Sequence, residues 1–308
     1  MKKKVVGLGE VLWDLLLERT CLGGAPANFA YIATVMGDEG VVASRVGEDS
    51  RGLEALRRMQ QLELDIEHVQ TDREQATGTV KVELDVKGIA RFEIAHLVAW
   101  DFLEWTADWQ HLAEKADAVC FGSLAQRSEA SRATIRQFVR AVRPGAVKVF
   151  DVNLRQSFYS QEILAESMKL ADIVKLNDEE LPKVMRLGGF SGNPSHGDEL
   201  AAAQQLISAY DLKLVCITRG GRGSLLVRRG GDASEHPGFR VRVADTVGAG
   251  DAFTAGLVHE YLRGAALGRM DLDGMNDVAN RVGAWVASEA GAMPVPKDGL
   301  ERMLAEIG

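Results

Sequence analysis

The 308-residue chain is 46% hydrophobic and 26% charged, the balance of an ordinary soluble globular protein, which excludes disordered, collagen-like and coiled-coil chains. Its 36 Lys and Arg face 44 Asp and Glu, a net charge of −8, so neither a broad polyanion-binding surface nor a nucleic-acid partner is expected. Cys21, Cys120 and Cys216 lack CxxC spacing, which suits a reduced, cytoplasmic compartment.

No apolar run reaches the roughly 18 to 20 residues that a membrane helix needs. Residues 5–17 follow three lysines as a leader would, but Glu10 and Asp14 interrupt them and they read as a buried strand. Residues 5–8 open a series of five short runs, with 118–121, 147–150, 173–176 and 214–217, each read as apolar throughout and so buried on both faces. Helical patterns follow most of them, which predicts an α/β fold with a mainly parallel sheet between two layers of helices. The first helix is expected over 25–36, with Pro26 in its first turn and Gly37 just past its end.

The texture changes over 77–96. There Thr79, Lys81, Glu83 and Asp85 alternate with Val80, Val82, Leu84 and Val86, the period of a half-exposed strand pair turning at Gly88. Such a ribbon beside a buried sheet is expected to be a small lid, built from about 10–22 and 77–98 and inserted in a single domain spanning 1–308. Residues 187–197 read as a surface loop. Residues 239–243 read as a further strand, followed by a helix that runs to about 262 with Phe253, Leu257 and Tyr261 in phase.

Between that strand and that helix stands Asp245-Thr246-Val247-Gly248-Ala249-Gly250-Asp251. Small residues at a helix start leave backbone N–H groups open to an anion. A carboxylate beside them repels phosphate and is useful only if Asp251 takes the proton of a hydroxyl about to attack that phosphate. Read alone, Asp251 serves equally as a helix cap. Phe253 occupies the place of the third glycine of a dinucleotide fingerprint, and without a Gly-Lys pair there is no Walker A loop.

A second cluster joins Gly23 and Gly24 to Asn28 in a first helical turn; with Asp14 on the preceding extended segment it suits the hydroxyls of a polyol. Three further groups follow buried strands at the carboxyl ends, where open α/β sheets bind ligands: Asp151, Asn153 and Arg155; Asn177 and Glu180; and Thr218, Gly220, Gly221 and Gly223. Singly they read as turns or caps, and together they suit phosphate with Mg²⁺. The histidines have no metal-ligand spacing, and Trp100 lies near enough to the lid to line a pocket.

In this order the motifs resemble those of the ribokinase-like sugar kinases, the PfkB family, over essentially the whole chain. Residues 23–28 are similar to the family's sugar signature and residues 245–251 to its catalytic signature. The resemblance implies a ribokinase-like three-layer α/β/α sandwich with a small β-sheet lid, and transfer of the ATP γ-phosphoryl group to a primary hydroxyl. By that resemblance Asp251 is the base and Gly248, Ala249 and Gly250 form the anion hole. Asp14, Gly23, Gly24, Asn28, Trp100, Asn153 and Arg155 would meet the sugar and the phosphates. Asn177 and Glu180 would organise Mg²⁺ through water, Thr218, Gly220, Gly221 and Gly223 would border ATP, Asn276 and Asn280 its adenine, and Asp245, Val247 and Gly291 a K⁺ ion. Gly9-Glu10-Val11-Leu12-Trp13-Asp14 and Val98-Ala99-Trp100-Asp101 look most like fructokinases, so fructose is the expected substrate. Ribose, nucleoside and 2-keto-3-deoxygluconate kinases are the rivals, and a non-catalytic sensor is a further alternative. A homodimer paired through the lid's exposed edge is also expected.

Overall fold

The computed structural model describes residues 2–16, 19–84, 90–190, 198–296 and 305, with residues 82–84 and 90–92 described by their backbone alone. Its strands in chain order are β1 (Lys4–Leu8), β2 (Leu12–Leu15), β3 (Thr20–Gly23), β4 (Glu39–Gly47), β5 (Val69–Asp72), β6 (Gly78–Leu84), β7 (Ala90–Ile94), β8 (Ala118–Gly122), β9 (Val147–Asp151), β10 (Ile173–Asn177), β11 (Leu214–Thr218), β12 (Ser224–Arg228) and β13 (Ala233–His236). The helices are α1 (Ala25–Val35), α2 (Ser50–Gln61), α3 (Ala107–Lys115), α4 (Glu129–Ala141), α5 (Gln161–Leu170), α6 (Leu181–Leu187), α7 (Glu199–Tyr210), α8 (Ala249–Ala266) and α9 (Leu272–Ser288).

Nine strands form one sheet in the order β13-β12-β11-β10-β9-β8-β1-β4-β5. From β5 to β11 every neighbour pair is parallel, and β12 and β13 add an antiparallel edge. After β1 the chain builds outward through β4 and β5, then returns to add β8 to β11 on the other side. That reversal opens a crevice at the carboxyl ends of β1 and β8.

Strand alternation makes the layers. On β8, Val119 and Phe121 enter one core while Ala118 and Cys120 enter the other. Helices α3 to α7 supply Trp109, Phe138, Leu164, Val184 and Leu206 to the first core; α1, α2, α8 and α9 supply Phe29, Met59, Leu257 and Trp285 to the second. Each large apolar side chain so buried contributes roughly 1.5–3 kcal/mol, which fixes the helices on the sheet.

A separate sheet in the order β3-β2-β6-β7 lies beside this sandwich. Its β2 and β6 run parallel and its other pairs antiparallel. A Cβ on Gly78 of β6 would lie 2.2 Å from Trp100 Nε1, so a glycine is needed where the small sheet rests on that ring. No helix among the described residues is long and apolar enough to cross a membrane.

Several expectations change. Runs 147–150 and 173–176 contain Lys148 and Lys175, and Lys175 is buried. Residues 239–243 join no ladder: Gly238, at φ 81, breaks the extended chain between β13 and this segment. Gly88 and residues 191–197 of the expected loop lie outside the described residues. Trp100 does not line an opening, because it is 0% exposed, beneath Gly78 and with the Arg127 guanidinium 4.0 Å from its ring centroid.

Candidate active site

Helix α8 begins at the crevice. Gly248, its N-cap, has φ 79, and a Cβ there would lie 2.4 Å from the Ala292 Cβ, so both the turn and the packing require glycine. No side chain caps this end of the helix. Among the described residues the amides of Gly248 and Gly250 make no hydrogen bond, and that of Ala249 makes one long contact of 3.4 Å to the Thr246 carbonyl. These donors, together with the positive end of the helix dipole, are an arrangement that suits an anion.

Asp251 lies inside the first turn and does not cap it. Its Oδ2 instead accepts a 2.7 Å hydrogen bond from Nδ2 of Asn28 on α1. Helix α1 can bring Asn28 there because Gly24, at φ 111, lets the chain pass the Glu10 carbonyl; a Cβ on Gly24 would lie 2.3 Å from that oxygen. Burial pushes the Asp251 carboxyl up to about 6, and the neighbouring Asp151 adds to the shift; Asn28, Lys175 and Arg155 act against it. A carboxyl so placed holds a proton more readily than a surface aspartate and is largely ionised at neutral pH, as a general base must be.

Two further carboxyls face this centre. Asp14, half-buried on β2, is pushed up to about 6, chiefly by burial, with Arg155 acting against it. A Cβ on Gly23 would lie 2.5 Å from Asp14 Oδ2, so the glycine of the opposing strand makes room for the carboxylate. Glu10 is buried and pushed up to about 7, first by burial, with a backbone hydrogen bond opposing and Asp251 adding to it. Its Oε2 and the Oδ1 of Asn28 are buried without a hydrogen-bond partner. Such acceptors await donors, and the hydroxyls of a polyol are donors of the right kind. Arg155 is exposed at the mouth and Asn153 takes a left-handed turn at φ 39, which lets the segment after β9 fold back over the site.

Beneath the first turn of α8, Lys175 Nζ lies 3.1 and 3.2 Å from the two carboxylate oxygens of Asp151, and the Thr254 hydroxyl lies 3.0 Å from Asp151 Oδ2. Burial alone would lower the Lys175 pKa, but Asp151, Glu180 and Asp251 together raise it. Lys175 and Thr254 escape a sequence reading, and Glu10 is met there within a motif but with no role. The one further signal is a charge or a hydroxyl among apolar neighbours.

Asn177 and Glu180 form a tight turn after β10. Asn177 Oδ1 accepts the amides of Glu179 and Glu180 at 3.0 and 2.8 Å, while the Glu180 carboxylate accepts those of Leu154 and Asn177 at 2.7 and 2.9 Å. A carboxylate offers about four lone-pair sites. Two of them remain, so the donor set fits a divalent cation held through water. The expected K⁺ site fits less well: Asp245 Oδ2 pairs with the Arg19 guanidinium and its Oδ1 accepts the Val247 amide at 3.0 Å. The carboxylate that would face the cation, between Val247 and Gly291, already faces one.

On the far side, Thr218 ends β11 and Gly220, Gly221 and Gly223 turn the chain into β12. A Cβ on Gly223 would lie 1.9 Å from the His236 carbonyl oxygen, whereas Gly220 and Gly221 border open space. Asn276 does not offer itself to a ligand. It is 0% exposed, accepts from the Ser224 hydroxyl at 2.5 Å and donates to the Ser234 carbonyl at 3.0 Å, bracing α9 against β12 and β13. Asn280 joins the same network through a 2.7 Å hydrogen bond from its Nδ2 to Ser224.

A profile of the pfkB family carbohydrate kinases matches residues 19–298. A fructokinase of Escherichia coli is 31% identical over 95% of this chain and 96% of its own. Among solved structures, an uncharacterized sugar kinase from Pyrococcus horikoshii in complex with ATP superposes with a TM-score of 0.80 at 28% identity, over 99% of both chains. Aminoimidazole riboside kinase from Salmonella enterica, complexed with aminoimidazole riboside and an ATP analog, does so with a TM-score of 0.78 at 26% identity, over 98% of this chain and 100% of its own. The nine-stranded sandwich with its small added sheet is therefore the ribokinase-like fold, and the chain belongs to the pfkB family of carbohydrate kinases.

Proposed function

We propose that this protein is an ATP-dependent sugar kinase that phosphorylates a primary hydroxyl, with fructose, converted to fructose 6-phosphate, as the leading substrate. The observation that carries the reading is the Asp251 carboxylate, held by Asn28 at 2.7 Å inside a helix turn whose Gly248 and Gly250 amides are open. A base and an anion cradle within one turn of helix serve a hydroxyl that attacks a phosphoryl group.

In this reading Asp14, Asn28 and the glycines at 23 and 24 seat the sugar hydroxyls. Asp251 takes the proton of the attacking hydroxyl as the new O–P bond forms and the bond from the γ-phosphorus to the bridging oxygen of ATP breaks, with ADP leaving. The amides at 248–250 donate hydrogen bonds to the negative charge that develops on the transferred group, and Arg155 reaches the phosphates from the mouth. Thr218, Gly220, Gly221 and Gly223 border the nucleotide. Asn177 and Glu180 would hold Mg²⁺ through water, where it would supply neutralisation of phosphate charge. The small sheet acts as a lid, excluding water that would otherwise take the phosphoryl group. Its outer strands also offer edges through which two copies pair.

Fructose leads because the E. coli relative is a fructokinase, and the riboside kinase among the structural neighbours makes a furanose riboside the second reading. ADP formation from MgATP, measured with fructose, ribose, adenosine, aminoimidazole riboside, 2-keto-3-deoxygluconate and no sugar, with Asp251→Ala in parallel, tests both. Turnover on fructose that vanishes in the variant supports the full reading. Turnover on another sugar alone moves the substrate, and no turnover by folded protein overturns the assignment.

A further inference from the structure

We propose that Lys175 is a positioning residue for phosphoryl transfer, its buried ammonium supplying a standing positive charge behind the anion-binding first turn of α8. The inference rests on the kinase reading above and concerns how that site holds charge.

Lys175 and Asp151 are register partners on neighbouring parallel strands near the middle of the sheet, with side chains only 8% and 6% exposed. Burying two charges is costly, and neutral residues of the same size generally stabilise a fold as well or better. Stability therefore gives no account of the pair. Its geometry gives none either. An ammonium has three N–H donors, and among the described residues Lys175 donates to Asp151 alone. Both contacts, at 3.1 and 3.2 Å, are long for a charge-assisted bond, which is normally about 2.7–2.9 Å. The pair leaves donor capacity unspent in a place where water is scarce.

The direction of that capacity is fixed by Gly250. A Cβ there would come within 3.0 Å of Lys175 Nζ, so the glycine lets the ammonium approach the turn whose amides are open. Thr254, one turn further along α8, donates to Asp151 Oδ2 or to the Gly250 carbonyl, tying carboxylate and helix together at 3.0 and 2.9 Å. Arg155 is exposed at the mouth, so charge gathering on a phosphoryl group at the cradle meets Arg155 from solvent and Lys175 from the sheet. The groups facing Asp251 are Glu10 after β1, Cys120 on β8, Asp151 on β9, Arg155 after it, Lys175 on β10 and Asn28 on α1. With Asp151 and Glu10 both acidic, Lys175 is the buried cation that keeps a second negative charge tolerable here.

Three variants test this. Lys175→Met alone leaves Asp151 buried and unpaired and is expected to destabilise the fold, so the decisive protein is Lys175→Met with Asp151→Asn, which removes the pair and keeps the charge balanced. Its melting temperature is expected near that of the wild type, with kcat lower by about 10- to 10²-fold and sugar KM within about threefold. Wild-type kcat in that double variant would mean that Lys175 only neutralises Asp151, and the proposal would fall. Asp151→Asn alone should move the acid limb of kcat to lower pH, because it leaves the cation and removes an anion beside Asp251; an unmoved limb argues for a purely structural pair. If the wild type phosphorylates no sugar, the kinase reading fails by itself. Inorganic phosphate then decides: thermal stabilisation of the wild type but not of the double variant keeps Lys175 as an anion-positioning group, and equal stabilisation, or none of the wild type, overturns it.

Discussion

Asp251 and Asp14 are both carboxyls that burial pushes up to about 6, yet they are held in opposite ways. Around Asp251 every approach is fixed: Gly248 packs on Ala292, Gly250 stands over Lys175, Asn28 donates from α1 and Thr254 bonds to Asp151. These contacts come from α1, β9, β10 and α8, elements seated on the cores of the large sandwich. Asp14 sits on the four-residue strand β2 of a four-stranded sheet, with Cys21 as its register partner and Gly23 of the same neighbouring strand making room for its carboxylate. In the proposed mechanism the proton transfer sits on the rigid body and the selection of the sugar on the small sheet, where a few substitutions alter the fit without disturbing the core. Changes around Asp251 should therefore appear in kcat, and changes around Asp14 in KM.

The largest expected effect is that of Asp251→Asn. Losing the base should lower kcat by on the order of 10² to 10⁴ with little change in sugar KM. Because the carboxylate is desolvated, the amide should leave the melting temperature equal or raise it. Steady-state kinetics with calorimetry on the same sample check both halves, and near-normal turnover would remove Asp251 from the mechanism.

Gly248→Ala comes next. The new methyl meets Ala292 at 2.4 Å and the residue must hold φ 79, so the start of α8 has to shift. A stability loss of about 1–3 kcal/mol is expected, with kcat falling roughly tenfold as the amides move. If denaturant unfolding and kcat both stay at wild-type values, the anion cradle is not where it is placed here.

Gly23→Ala sharpens the other side of the comparison. Its methyl would meet only the far end of the Asp14 side chain, at 2.5 Å, and that end can rotate away. Sugar KM should rise about tenfold, equivalent to ~1.4 kcal/mol, while kcat and stability stay near wild type. A fall in kcat with unchanged KM would erase the division between body and small sheet.

How much of this was legible follows the physics of each signal. The glycine-rich signatures were readable because close backbone approach admits no side chain, as Gly24 against the Glu10 carbonyl and Gly248 against Ala292 show. The alternating layers were readable because parallel strands bury both faces. Lys175 was not: its partner Asp151 lies 24 residues away on the next strand, and a lysine within an apolar run has no local mark of burial. Residues 239–243 alternate like a strand, but they join no ladder, and Gly238 at φ 81 breaks the extended chain just before them. Asn276 stands on the helix the resemblance pointed to, yet its amide is consumed by Ser224 and Ser234, a direction that no spacing reveals.

The smallest effect expected is on the pH dependence of stability, and its sign separates the two regions again. Glu10, Asp14 and Asp251 have folded-state pKa values of about 7, 6 and 6, above the ordinary carboxyl values near 4, so between about pH 4 and 7 the folded protein binds more protons than the unfolded one. Stability must then fall as pH rises through that window and level off above it. Asp49 and Asp117, whose carboxyls are held below their usual range by hydrogen bonds that outweigh burial, act in the opposite sense only at lower pH. The melting temperature of the ligand-free protein should drop by about 2–5 °C from pH 5 to 7.5. Activity should move the other way, because the proposed mechanism needs Asp251 ionised, so that kcat/KM rises through about 6. Asp251→Asn and Asp14→Asn should each flatten part of the stability slope, while Asp14→Asn leaves the acid limb of kcat in place. A melting temperature that climbs with pH over this window would mean that these carboxyls are not buried as described, and would take the base assignment with it.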